Sequence, residues 1–124
     1  FPNKIAVGVD ARGGMVATEG WAEQSDISAV DLCQHFQDAG VSAIIYTDID
    51  RDGALQGVNV QATADLAEKI SIPVIASGGV SGYDDIVNLR KVQHKGIIGV
   101  ISGKALYENR LEATKALELC KQAI

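Results

Sequence analysis

The sequence predicts an α/β domain whose strands run parallel. Two observations carry that expectation. Four short apolar stretches rich in β-branched residues recur along the chain, and none alternates cleanly, as expected of strands covered on both faces. Between them lie segments with apolar residues at helical spacing. Strand and helix therefore alternate four times, which implies a parallel sheet with right-handed crossovers. At 124 residues the chain is one domain by length, with no low-complexity segment and no inter-domain linker.

Taken in order, the strands are Lys4 to Asp10, Ala43 to Thr47, Pro73 to Ala76 and Ile97 to Ile101. The first helix carries the stripe Val30, Cys33 and Phe36, helped by Leu32 and Ala39, and Gly40 stops it. Asn59 is an N-cap for a second helix through Ile70, with Ala62, Leu66 and Ile70 on its buried face. Ile86, Leu89 and Val92 mark a third helix. Ala113, Ala116, Leu117 and Cys120 mark a fourth.

Composition narrows the function classes. With 47% apolar residues the chain is too hydrophobic for disorder, so a packed core is expected. No apolar run reaches the roughly 18 residues of a membrane span, and no signal peptide opens the sequence. The net charge of -5, from 11 basic and 16 acidic residues, argues against general nucleic-acid binding. Cys33 and Cys120 form neither a disulfide framework nor a CxxC clip, so a reducing, cytoplasmic setting is the simpler expectation. The chain begins at Phe1 rather than Met, which suggests processing or a piece of something longer.

Ligands of a parallel sheet bind at the carboxyl ends of its strands. After the four strands come VGVDARGG (Val7 to Gly14), YTDIDRDG (Tyr46 to Gly53), ASGGVSG (Ala76 to Gly82) and GVISGKALYE (Gly99 to Glu108). Most of the 13 glycines lie in or beside these stretches, where glycine permits close backbone approach to a ligand. The last two form a candidate phosphate site. Ser77-Gly78-Gly79 ends one strand, and Ser102-Gly103 leads into a short helical turn from Lys104. Backbone N–H groups at such turns cradle anions. The bland alternative is that these glycines only make tight turns.

Asp10 ends the first strand behind apolar Val7 and Val9, so its carboxyl points into the mouth of the sheet. Partial desolvation there suits general acid or base work. The alternative is an aspartate that caps the next loop or pairs with Arg12. Thr47 ends the second strand in the matching place. Its hydroxyl suits hydrogen bonding to a carboxylate or substrate, or simply to backbone. Asp48, Asp50 and Asp52 share one loop, but a calcium-loop spacing is absent, so no metal is expected. Asp52-Gly53 is a turn, with Asp52 positioned to face a ligand. Trp21 either packs on the domain or stacks on a planar ligand as part of a moving loop. His35 and His94 are expected to be solvated, and Cys33 and Cys120 to be inert thiols on helical core faces.

VGVDARGG followed by EGW, then YTDIDRDG, IPVIASGGV and SGKALYE, in this order across nearly the whole chain, resemble one family. It is the histidine-biosynthesis isomerase family acting on phosphoribosylformimino-aminoimidazole carboxamide ribotide. The sister family, the cyclase subunit of imidazole glycerol phosphate synthase, shares the DRDG and ASGG strings. Gly20-Trp21 and Tyr46-Thr47-Asp48 favour the isomerase. The resemblance implies a (β/α)8 TIM barrel, of which residues 1–124 match the C-terminal half, strands five to eight. It implies an Amadori rearrangement of an aminoaldose to an aminoketose with no cofactor. In that scheme Asp10 is the general acid, Thr47 assists it, and Trp21 covers the substrate. Ser77, Gly78, Gly79, Ser102 and Gly103 hold one of two phosphates of a bisphosphorylated ribotide, and Asp52 and Gly53 line the site. The chain departs from the family at Ser102, where valine is usual. The family's general base and second phosphate site belong to the other half, so the chain alone is expected to be inactive.

Half a barrel also raises a physical problem. Two strand edges and the inner face would be uncovered, so the chain should pair with an N-terminal half-barrel or with a second copy of itself. Alternatives are the cyclase subunit, a non-catalytic half-barrel used for assembly, and an open flavodoxin-like sheet, against which the paired phosphate loops argue.

Overall fold

The computed structural model describes residues 4–18, 23–37, 39–51 and 57–121. Six strands form one sheet in the order β3-β2-β1-β4-β5-β6. The parallel part comprises β1 (Ile5–Arg12), β4 (Val41–Asp48), β5 (Val74–Ser77) and β6 (Ile97–Val100). These are the four expected strands, displaced by one or two residues at their ends. Four parallel strands in the order β1-β4-β5-β6, alternating with helices, form the architecture of half a (β/α)8 barrel.

Among the described residues, four of the five α-helices follow from the apolar spacing, and the short α4 matches the expected turn. They are α1 (Ala29–His35), α2 (Val60–Lys69), α3 (Tyr83–Lys91), α4 (Lys104–Tyr107) and α5 (Ala113–Lys121). Ser28 caps α1 by accepting from the Asp31 N–H at 3.1 Å. The helix stops at His35, ahead of Gly40, whose φ of 78° turns the chain into β4. Asn59 caps α2 as expected, its Oδ1 accepting from the Ala62 N–H at 3.1 Å.

The core lies on one side of the sheet. Side chains alternate across a strand, and register carries the alternation from strand to strand. Val9, Tyr46 and Ala76 are register neighbours, and all are buried with Cys33, Leu66, Ile86 and Leu89 among the helices. One residue along, Gly8, Ile45, Ile75 and Gly99 form a row on the opposite face, exposed or half-buried. Thus Val7, Val9, Ile44 and Val74 face the helices, and Ile45 and Ile75 face away. Burial keeps the Cys33 thiol protonated, pushing it up to about 11.

Two expectations need correction. Residues after Asp10 do not form a simple loop: β1 continues to Arg12 and turns into an antiparallel hairpin of β2 (Met15–Thr18) and β3 (Glu23–Ser28). Gly13 and Gly14 make the turn with φ of 59° and 81°, the pair of positive angles that a two-residue hairpin demands. The last helix is also rotated from the expected stripe. Ala116 and Leu119 pack toward the core, while Leu117 is 60% exposed and Cys120 is exposed. α5 packs against α3.

Candidate active site

The carboxyl ends of the parallel strands bring the proposed residues into one row. Asp10 is the register partner of Thr47, and Thr47 of Ser77. Parallel register puts all three side chains on one face, the face opposite the helices. Asp10 and Ser77 are half-buried and Thr47 is 9% exposed. The helix-facing neighbours Val9 and Ala11 are buried, which anchors the backbone on either side of Asp10. Tyr46 faces the helices, and burial, then the nearby Asp48 carboxylate, push its phenol upward. It belongs to the core and not to the site.

The two glycine loops leave β5 and β6 at the same end. Ile101 donates its N–H to the Ala76 carbonyl at 2.9 Å, so the loops start side by side. Gly78 and Gly79 both have positive φ, 96° and 85°. A Cβ on Gly78 would meet the Asp48 carbonyl oxygen at 2.8 Å. One on Gly79 would meet the Gly57 carbonyl oxygen at 2.7 Å and Arg51 Cβ at 2.8 Å. Tight turning and close packing on the neighbouring loop thus both require glycine here. Gly103 differs: it opens α4 with φ of -129°, and nothing lies within 4 Å of a Cβ built there. Beside it, Ser102 Oγ is buried and has no hydrogen-bond partner. A phosphate oxygen or a rotated backbone group would satisfy it.

The contrast yields an expected result. Gly79→Ala should destabilise the fold by at least about 1–2 kcal/mol from the left-handed backbone alone, with the clash adding to it. Gly103→Ala should stay within about 1 kcal/mol of the parent. Urea denaturation measures both, and equal losses would refute the packing argument.

The aspartate-rich loop is committed to protein partners. Asp48 Oδ2 accepts from Asn59 Nδ2 at 2.8 Å, and its Oδ1 accepts from the Asp50 N–H at 3.1 Å. Asp50 Oδ1 accepts from Arg12 Nε at 2.9 Å. Among the described residues no group of three or more His, Cys, Asp or Glu could hold a metal. His35 and His94 are exposed. Trp21, Asp52 and Gly53 lie outside the described residues.

Sequence reasoning missed the groups that brace the loops. Asp85 is buried and accepts hydrogen bonds from Val58, Ser81 and Gly82. Arg51 Nη1 donates to the Gly57 carbonyl at 2.9 Å. The one available signal was the return half of a capping box, with Asp85 three residues after the N-cap Gly82. A cleft on the helix side of β6, lined by Ile86, Leu89, Arg90, Ile98 and Cys120, lies away from this row. Among the described residues the sheet is not closed into a ring.

A family model described as "Histidine biosynthesis protein" matches residues 1–112. Among curated proteins, the chain is 60% identical over 121 residues to a 1-(5-phosphoribosyl)-5-((5-phosphoribosylamino)methylideneamino) imidazole-4-carboxamide isomerase of Parvibaculum lavamentivorans, covering 98% of this chain and 50% of that protein. It is 58% identical over 120 residues to the isomerase of the same name in Hahella chejuensis, covering 97% of the chain and 49% of the relative. For the one in Roseobacter denitrificans the figures are 60% over 122 residues, 98% and 50%. The chain therefore spans about half the length of the curated relatives it matches. Among the described residues no helix is long and apolar enough to cross a membrane.

Proposed function

The chain belongs to the histidine biosynthesis protein family, and on that premise we propose that it supplies the acid-bearing half of an Amadori isomerase. The substrate is a bisphosphorylated ribotide, an aminoaldose that becomes an aminoketose. The observation that carries this reading is the register row Asp10–Thr47–Ser77, with the two glycine loops leaving the same end of the sheet.

Asp10 acts as general acid. Its proton goes to the ribose ring oxygen, the C1–O bond breaks, and the substrate nitrogen lone pair closes a protonated Schiff base. A general base then removes the C2 proton, the electron pair moves to form the enolamine, and reprotonation at C1 with loss of the C2 hydroxyl proton leaves the ketone at C2. That base comes from the missing half. Thr47 hydrogen-bonds the Asp10 carboxyl or the substrate and fixes their alignment. Gly78, Gly79, Ser102 and Gly103, with Ser77, hold one phosphate through backbone N–H groups and hydroxyls. By the family resemblance, Trp21, Asp52 and Gly53 also belong to substrate binding. The site needs no metal or organic cofactor for these steps. The partner is an N-terminal half-barrel or a second copy of this chain, and a reducing cytoplasm suits the two free thiols.

Product analysis on the intact protein tests the reading. Incubation with the ribotide should give the aminoketose. Conversion with ammonia to imidazole glycerol phosphate would replace the isomerase with the cyclase.

A further inference from the structure

A buried carboxylate is costly unless its oxygens are well hydrogen-bonded. Asp85 is 7% exposed and meets that condition with donors from two different loops. Its Oδ1 accepts from the Val58 N–H at 3.0 Å, on the loop between β4 and α2. Its Oδ2 accepts from the Ser81 N–H at 2.7 Å, the Ser81 hydroxyl at 2.9 Å and the Gly82 N–H at 3.3 Å, on the loop between β5 and α3. One residue before Val58, Gly57 donates its N–H to the Gly79 carbonyl at 2.9 Å. Two residues before Ser81 stands Gly79 itself. The contacts close a ring: Asp85 to Val58, along the chain to Gly57, across to Gly79, along to Ser81, and back to Asp85.

From this ring we propose that Asp85 is a positioning residue that sets the Gly78–Gly79 turn for a phosphate-bearing ligand. The inference rests on the proposed reading of that turn as a phosphate cradle. Asp85 touches no reacting atom. It acts by holding Val58 and Ser81 at fixed separation, which holds the turn between them. An asparagine keeps the size and one acceptor oxygen, but aims an NH2 group at donors that need an acceptor.

Asp85→Asn in the intact enzyme should loosen the ring while leaving the acid chemistry in place. The amides of Val58 and Ser81 should exchange hydrogen faster than in the parent. KM should rise about tenfold while kcat moves less than about threefold, since a loosened binding loop costs mainly affinity. Ile86→Val, a neighbouring core truncation, is the control: it should lower Tm and leave KM in place. An unchanged KM in folded Asp85→Asn, or an equal KM rise in Ile86→Val, overturns the proposal. If Asp85→Asn does not fold, Ser81→Ala removes a single hydroxyl donor and should raise KM about two- to threefold; no change would then overturn it. Should the parent show no isomerase turnover, the functional reading falls alone. The Kd for inorganic phosphate and the exchange rates at Val58 and Ser81 still decide the role of Asp85.

Discussion

Asp10→Asn in the intact enzyme is expected to lower kcat by about 10²–10⁴-fold, the usual worth of a positioned general acid, with substrate affinity nearly unchanged. The geometry explains the split. Buried Val9 and Ala11 hold the backbone on each side of Asp10, and β4 pairs with β1 through the Asp10–Thr47 register. Asparagine fits the same space and keeps an acceptor oxygen, so the mouth of the sheet should retain its shape. What disappears is the transferable proton. Without it the ring oxygen leaves as an unprotonated alkoxide, which raises the barrier of ring opening. The glycine loops lie on β5 and β6, two and three strands away, and the contribution to binding proposed for them should persist. Steady-state kinetics with the ribotide separate the two parameters. Turnover near the parent level would remove Asp10 from the acid role, and a KM rise matching the kcat loss would mean that the row had collapsed.

This row was legible because a parallel sheet enforces it. Once the strands were recognised from their apolar runs, their carboxyl ends had to lie together, whatever the loops did. The Asn59 cap followed from local chemistry in the same way, whereas the one-sided core did not, since none of the four strands alternates cleanly. The hairpin of β2 and β3 was less legible. Glu23–Ser28 is a polar strand at the sheet edge, with no apolar alternation to announce it, although Gly13-Gly14 carried the turn signal. Asp85 was faintly legible for a different reason. Asp84 and Asp85 stand side by side at a helix start, where acids favour the dipole, and only the capping-box spacing from Gly82 separates them in the sequence. Packing separates them outright: Asp84 is exposed and Asp85 buried beneath two loops. The need for glycine at position 79 likewise depends on Arg51 and Gly57, over twenty residues away, and appears only when the loops meet.

Residues 1–124 alone should turn over the ribotide at least about 10⁴-fold more slowly than the intact enzyme, because the proposed reading places the general base and part of the binding site in the other half, and the loss of each removes a large factor. The strand-end row of the parallel sheet holds Asp10, Thr47 and Ser77, so it offers one carboxylate where acid and base are both needed. Among the described residues the sheet is not closed into a ring: β3 and β6 are its outer strands, and Ile98 on β6 is 63% exposed. A barrel interior built by closure is thereby replaced with an open face carrying Ile45 and Ile75. Water reaching that face screens the Asp10 carboxyl and weakens every electrostatic contact to the substrate. Adding the N-terminal half-barrel as a separate chain should restore turnover in proportion to the complex formed, because on the proposed reading it brings the base and the rest of the binding site to the strand-end row. Turnover by the purified chain within about a hundredfold of the intact enzyme, on the scale of a single general base, would show that Asp10 and the two glycine loops suffice without a second half.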